Sequence, residues 1–172
     1  FDNSNIQAEY PVASCVVFRN CKPSNKEYKH FNIKTVEGPD DFASMREIVY
    51  RRYGRLKAEG KPLPDLVIVD GGKGQLSAAV ESLTALELMG KVPIIGIAKR
   101  LEEIYFPGEQ YPLCVDKRSN SLKVIQHIRD EAHRFGITFH RNKRSKGTFR
   151  TELCDIDGIG EATAQTLLLR FK

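Results

Sequence analysis

Two short, wholly apolar runs on either side of an amphipathic segment restrict this fold more than anything else in the chain. Residues 65–70 read DLVIVD and residues 92–98 read VPIIGIA. Both are too short for buried helices and too uniformly apolar for strands with one wet face. Each suits a strand inside a sheet covered on both sides. Between them, Gly71-Gly72-Lys73-Gly74 carries turn chemistry. Residues 75–89 then place Leu76, Ala79, Val80, Leu83 and Leu86 at helical spacing, and Gly90 is positioned to end the helix. Strand, helix and strand in that order imply a right-handed parallel crossover.

The flanking segments extend the pattern. Residues 12–18 (VASCVVF) are apolar and β-branched, as in a buried strand with Cys15 as a small core residue. Residues 20–25 form a turn, and residues 27–36 alternate Tyr28, Phe31 and Ile33 with Lys29, His30 and Lys34, which predicts a hairpin partner. Residues 1–4 fit the end of a further strand. Gly38-Pro39-Asp40-Asp41 opens a helix, with Phe42, Met45, Ile48 or Val49 and Tyr53 on its apolar face. Residues 104–106 and 111–115 flank Pro107-Gly108 as a hairpin. Residues 119–121 cap a long helix carrying Leu122, Ile125, Ile128, Ala132 and Phe135. An antiparallel meander continued by a parallel crossover predicts an α/β chain, a mixed sheet with helices on its faces. The ribonuclease H-like fold is built in this order, a likeness of fold alone. The expected organisation is a domain over 1–142, a basic linker over 143–150, and a small helical element over 151–172.

Charge and motif narrow the chemistry. Lys and Arg number 27 against 22 Asp and Glu. The excess gathers in residues 134–150, where Arg134, Arg141, Lys143, Arg144, Lys146 and Arg150 meet no acidic residue. Such a stretch suits a polyanion, although a solvated basic surface has the same composition. No apolar run approaches 18 residues and no signal peptide is present, so no membrane partner is expected. The four cysteines lack metal-ligand spacing, which suggests reduced thiols and a cytoplasmic setting. The chain opens on Phe1 without Met, which reads as a piece of a longer protein. The glycine turn at 71–74 fails the phosphate-loop spacing, and Gln75 stands where a magnesium-binding hydroxyl is needed. No nucleotide or other small-molecule substrate is therefore expected.

Four residues stand out as candidate catalytic groups. Asp70 ends a buried strand, at the end where ligands sit in open α/β sheets. A carboxylate there must be paired, metal-bound or at the mouth of a cleft, and a plain turn or helix-capping role satisfies the same demand. Asp2 lies on the first strand, Asp41 opens the first helix, and His133 borders the apolar face of the long helix. Phosphodiester hydrolysis needs carboxylates that hold Mg²⁺ or Mn²⁺, which neutralises phosphate charge and activates water. Two aspartates on neighbouring strands and one histidine meet that need. As a functional group His133 could ligate metal or move a proton; as a border residue it could equally be structural, and His127 and His140 compete with it. Near the end, Ile156-Asp157-Gly158-Ile159-Gly160 has the helix-hairpin-helix pattern, in which Gly158 and Gly160 let backbone N–H groups face a phosphate.

Several of these segments together form a recognisable signature. VASCVVF, FNIKTVEGPDDFASMRE (31–47), PDLVIVDGGKGQL (64–76), IGIAKR (95–100), IQHIRDEAHRF (125–135), ITFHR and IDGIG closely resemble, in order, the C-terminal half of the UvrC family, the incision subunits of bacterial nucleotide excision repair. The resemblance implies a ribonuclease H-like endonuclease making the 5′ incision beside a lesion, with Mg²⁺ or Mn²⁺ as cofactor and a trailing helix-hairpin-helix that binds DNA. It implies damaged double-stranded DNA and a UvrB–DNA complex as partners of the full-length protein. The family's N-terminal nuclease makes the 3′ incision. By motif match, the catalytic and metal-binding set falls on Asp2, Asp70 and His133, with a further acidic position on Asp41. Where the family has Ser-His after the first aspartate and its neighbour, this chain has Ser4-Asn5. Lys73, Lys99, Arg100, Arg129, Arg141, Lys143, Arg144 and Lys146 are the expected phosphate contacts. A junction-resolving nuclease and a catalytically silent DNA-binding module on the same fold are the rival readings.

Overall fold

The computed structural model describes residues 1–4, 12–36, 38, 40–98, 103–148, 156 and 158–170. They fall into two compact units, 1–136 and 137–172. In chain order the first unit holds β1 (Asp2–Ser4), β2 (Val12–Cys15), β3 (Phe18–Arg19), β4 (Lys22–Pro23), a 3-10 turn (Asn25–Glu27), β5 (Lys29–Asn32), α1 (Asp41–Ala58), β6 (Val67–Asp70), α2 (Lys73–Ala85), β7 (Ile94–Ala98), β8 (Glu103–Tyr105) and β9 (Leu113–Cys114). Helix α3 (Asn120–Thr148) begins in it, and α4 (Glu161–Arg170) belongs to the second unit.

The strands form an antiparallel group, β1-β2-β5, and a mixed group, β6-β7-β8-β9, whose β6–β7 pair is parallel. Phe1 joins them. Its nitrogen donates to Ile68 O, and Asp70 N donates to Phe1 O, both at 2.8 Å. That is the hydrogen-bond pattern of a parallel bridge between Phe1 and Val69. The result is one mixed sheet in the order β5-β2-β1-β6-β7-β8-β9, as expected of a ribonuclease H-like domain.

The pleat sends alternate residues to opposite faces. Phe1, Ala13, Cys15, Val67, Val69 and Ile94 share one core with Met45, Ile48, Val49 and Tyr53 of α1 and Leu76, Ala79 and Leu83 of α2. Helices α1 and α2 run side by side, tied by Ser82 Oγ donating to Arg46 O at 2.7 Å and Lys57 Nζ donating to Leu86 O at 2.8 Å. The opposite face carries Val12, Ser14, Ile97 and Ile104, all buried, and receives α3 at Ala132, whose carbonyl accepts from Ser14 Oγ.

Several boundaries differ from the sequence reading. The run 12–18 is not one strand; it breaks after Cys15 and turns through Asn20 and Cys21, both with positive φ, into the β3–β4 hairpin. Leu66 and Phe42 are exposed rather than buried. Helix α2 stops at Ala85, short of Gly90, because Glu87 adopts φ 59° and Leu88 N bonds back to Leu83 O at 2.8 Å. Glu87 thereby occupies the left-handed position that glycine usually takes at a helix end. The linker expected over 143–150 instead begins as helix, since α3 runs to Thr148. Lys and Arg are good helix formers, and no proline interrupts them. Among the described residues, no helix is long and apolar enough to cross a membrane. Cys15 is buried, and Cys15, Cys21 and Cys114 are free thiols.

The approach to α1 is fixed by Glu47, whose carboxylate accepts from Lys34 N, Thr35 N, Thr35 Oγ1 and Arg51 Nη1 at 2.6–3.1 Å. Burial pushes its pKa up, but these donors outweigh burial and hold it below the usual carboxylate value. A depressed folded value contributes stability above the unfolded pKa, and that stability is lost as pH falls through the folded value. Glu47→Gln should therefore cost on the order of 2 kcal/mol near neutral pH. The gap from the parent should narrow in melts recorded as the pH falls below the ordinary carboxylate range, because the folded value lies beneath it. Glu87→Gly should relieve the left-handed strain and stabilise by about 1 kcal/mol. That would appear as a rise of roughly 3 °C in Tm by circular dichroism.

Candidate active site

The bridge between Phe1 and Val69 puts the next residues, Asp2 and Asp70, beside each other on neighbouring parallel strands. Both lie on the face opposite the α1–α2 core. The pairing extends from β5 to β8: Asp2 opposes Ser14, Ser14 opposes His30, Asp70 opposes Ile97, and Ile97 opposes Ile104. One cross-strand row therefore reads His30, Ser14, Asp2, Asp70, Ile97, Ile104. Ile97 and Ile104, its apolar half, are buried, and its polar half forms the candidate site.

Helix α3 supplies His133. Its Nδ1 lies 3.2 Å from Asp2 Oδ2. The Asp2 side chain is 6% exposed and that of His133 is 40% exposed, so the carboxylate is sunk and the imidazole borders solvent. An ionised carboxylate only accepts, so this contact assigns the proton to Nδ1 and leaves Nε2 as the acceptor of a neutral ring. His127 is elsewhere, edge-on to Phe18 at a ring distance of 5.1 Å. The His140 side chain lies outside the described residues.

Asp70 is half-buried and opens onto a glycine turn seated on β7. Gly71 N donates to Ile97 O at 2.9 Å. A Cβ at Gly96 would stand 2.8 Å from Gly71 O and 3.2 Å from Leu76 Cβ, so the absence of a side chain lets the turn lie flat on the strand. Gly72 caps α2 and Lys73 begins it, exposed beside the carboxyl end of β6. The Phe42 ring occupies the space a side chain at Gly74 would take. The starts of α1 and α2 therefore meet at this end of the sheet.

Asp41, the first residue of α1, is at the same end but in the opposite layer. Its main-chain oxygen accepts from Asn3 Nδ2 at 2.7 Å, and Asp40 caps the helix by accepting from Phe42 N and Ala43 N. Arg129 lies one turn before His133, with its side chain 12% exposed and Nε and Nη2 donating to Asp130 Oδ1. Lys99, Arg100 and Asn5 lie outside the described residues, as do the side chains of Arg141, Lys143, Arg144 and Lys146. In the second unit, Gly158 has φ +92° and Ala164 N donates to Gly160 O at 3.0 Å, opening α4. Residues 151–155 and 157 lie outside the described ones. Among the described residues, no group of three or more His, Cys, Asp and Glu is arranged as a ready-made metal cage. Sequence reasoning passed over Ser14, which it absorbed into an apolar run. A hydroxyl inside a buried strand always needs a partner, and that was the available signal.

Comparison with known proteins bears on this arrangement. The UvrC RNase H endonuclease domain matches residues 1–137. The UvrABC system protein C of Flavobacterium johnsoniae is 65% identical over all 172 residues, that of Christiangramia forsetii 66% and that of Porphyromonas gingivalis 64%. In each case the chain is covered completely and spans 29% of the relative's length.

The seat of the Asp70 turn can be tested by Gly96→Ala. Two backbone segments would have to separate, so the variant should lose on the order of 2 kcal/mol. It should melt about 4–8 °C lower, whereas an unchanged Tm would show that the turn does not rest on β7.

Proposed function

The chain belongs to the family of UvrC RNase H endonuclease domains, and on that premise we propose that it is the nuclease module of a nucleotide excision repair protein, hydrolysing a phosphodiester 5′ to a lesion. The observation that carries this reading is the juxtaposition of Asp2 and Asp70 across one strand pair, with His133 Nδ1 3.2 Å from Asp2. Carboxylates paired across neighbouring strands, with Asp70 at the carboxyl end of β6, suit a phosphodiester far better than a neutral substrate.

The donor set also suits a particular kind of metal. Two neighbouring carboxylates, without a closed cage, fit a hard cation that keeps most of its water, Mg²⁺ or Mn²⁺. Asp2 and Asp70 would hold it, with His133 beside them. Bound there, it supplies positive charge against the scissile phosphate and a more acidic water. The protein's own groups do the rest. Asp2 accepts from His133 Nδ1 and so fixes the ring and its tautomer, and Nε2 is then the nitrogen that takes or returns a proton at the phosphate. Lys73, exposed at the start of α2, and Arg129, one turn from His133, supply cationic contacts to neighbouring phosphates. Gly158 and Gly160 offer backbone donors at the start of α4 as a helix-hairpin-helix does. Asp41, in the layer behind the carboxylates, tunes the end of β1 through Asn3. Damaged duplex DNA is the substrate, delivered as a UvrB–DNA complex in the full-length protein.

The test is incision by the full-length protein on a lesion-bearing duplex with Mg²⁺ or Mn²⁺. Asp70→Asn should lower the 5′ incision rate at least a hundredfold and leave the 3′ incision intact. Undiminished 5′ incision by this variant would refute the assignment, as would activity that survives chelation.

A further inference from the structure

We propose that Ser14 is a positioning residue for His133, setting where the imidazole meets Asp2. This rests on the reading of Asp2, Asp70 and His133 as the nuclease centre and deepens it. Ser14 is fully buried on β2, and its register partner on β1 is Asp2 itself. Its Oγ donates to Ala132 O at 2.8 Å. The Ala132 carbonyl and the His133 amide belong to one rigid peptide plane. Ser14 is thus tied on one side to Asp2 through the strand ladder, and on the other to the peptide from which the His133 side chain departs.

Neighbouring contacts grip the same turn of α3. His30, the register partner of Ser14 on β5, has Nε2 3.0 Å from Phe135 O, and its ring stacks on Phe135 at 3.6 Å. Tyr28 donates its hydroxyl to Glu131 Oε1 at 3.1 Å; burial and the Glu131 charge push the phenol up to about 12, so it remains a donor. Residues 131, 132 and 135 are therefore fixed from β2, β5 and the residue before β5, while His133 in their midst meets Asp2. The Ala132 carbonyl lies inside a helix, where it already has a backbone partner. The hydroxyl is not needed to satisfy it. What the hydroxyl adds is a directional restraint on the slide and rotation of α3 over the polar half of the row.

A merely structural serine would fill space and nothing more, and Ser14→Cys separates the two roles. Cysteine keeps the volume and replaces the hydroxyl with a weak donor. In the metal-free 172-residue chain, Ser14→Ala and Ser14→Cys should both move the ¹⁵N imidazole resonances of His133 and leave those of His127 in place. In the full-length protein, each should reduce the 5′ incision rate about tenfold at unchanged DNA affinity, the usual effect of a lost outer partner. In a His133→Ala background neither should reduce it further. The proposal is overturned by His133 resonances that stay put in both variants, by cysteine restoring what alanine loses, or by losses that multiply with that of His133→Ala. Were the parent protein to make no 5′ incision at all, the nuclease reading would fail, and the imidazole spectra would still decide whether Ser14 sets the Asp2–His133 contact.

Discussion

Two backbone hydrogen bonds, Phe1 N to Ile68 O and Asp70 N to Phe1 O, are the constraint on which the rest of this domain depends. Without them the structure is two separate sheets, one a meander and one a parallel crossover with a hairpin. With them it is a single mixed sheet. Because pairing in a sheet fixes facing as well as neighbourhood, the bridge also decides that Asp2 and Asp70 lie side by side on the same face. A slip of one residue would turn one carboxylate into the apolar core beneath α1 and α2, where an ionised group has no compensation. The hydrophobic demands of Phe1 and Val69 on that side therefore hold the register that brings the carboxylates together on the other.

Helix α3 is both a packing element and the carrier of the candidate histidine, placed over the polar half of one cross-strand row. Through its buried Leu122 and Ala132 it contributes apolar packing. Over His30, Ser14 and Asp2 it contributes directional contacts, which add modestly to stability and strongly to position. The candidate histidine, His133, borders solvent with one ring nitrogen against the sunken Asp2 carboxylate. The two faces of the sheet thus differ: the α1–α2 face holds the main apolar core, and the α3 face carries the candidate site.

Much of this was legible in the sequence, and the failures have physical causes. DLVIVD followed by glycines was sufficient to place Asp70 at a strand end, because a run of that kind has few other ways to bury itself. The Asp40–Asp41 helix start followed from capping chemistry and the apolar face from helical period, which named Met45, Tyr53 and either Ile48 or Val49; both of the last two are buried, whereas Phe42 is exposed. Asp2 and His133 were different. Their roles depend on contacts across 131 residues of chain, which periodicity does not encode, and the family resemblance supplied them. Ser14 was lost inside VASCVVF because a small hydroxyl barely disturbs an apolar pattern, although its burial demands an acceptor. The early end of α2 at Glu87 was missed because the rule for helix ends looks for glycine, and here a charged residue takes the left-handed conformation. The linker expected at 143–150 was drawn from charge, whereas lysine and arginine favour helix as readily as they favour solvent.

The central claim is that Asp2 and Asp70 form one metal-binding carboxylate pair with His133 beside it. Anomalous diffraction from crystals of this chain soaked in Mn²⁺ tests it most directly. A manganese peak within coordination distance of carboxylate oxygens from both Asp2 and Asp70, with the His133 imidazole bordering the same ion, is the expected result. Manganese held by any other cluster while these two carboxylates stay unliganded, or Asp2 and Asp70 found on opposite faces of the sheet, would contradict it.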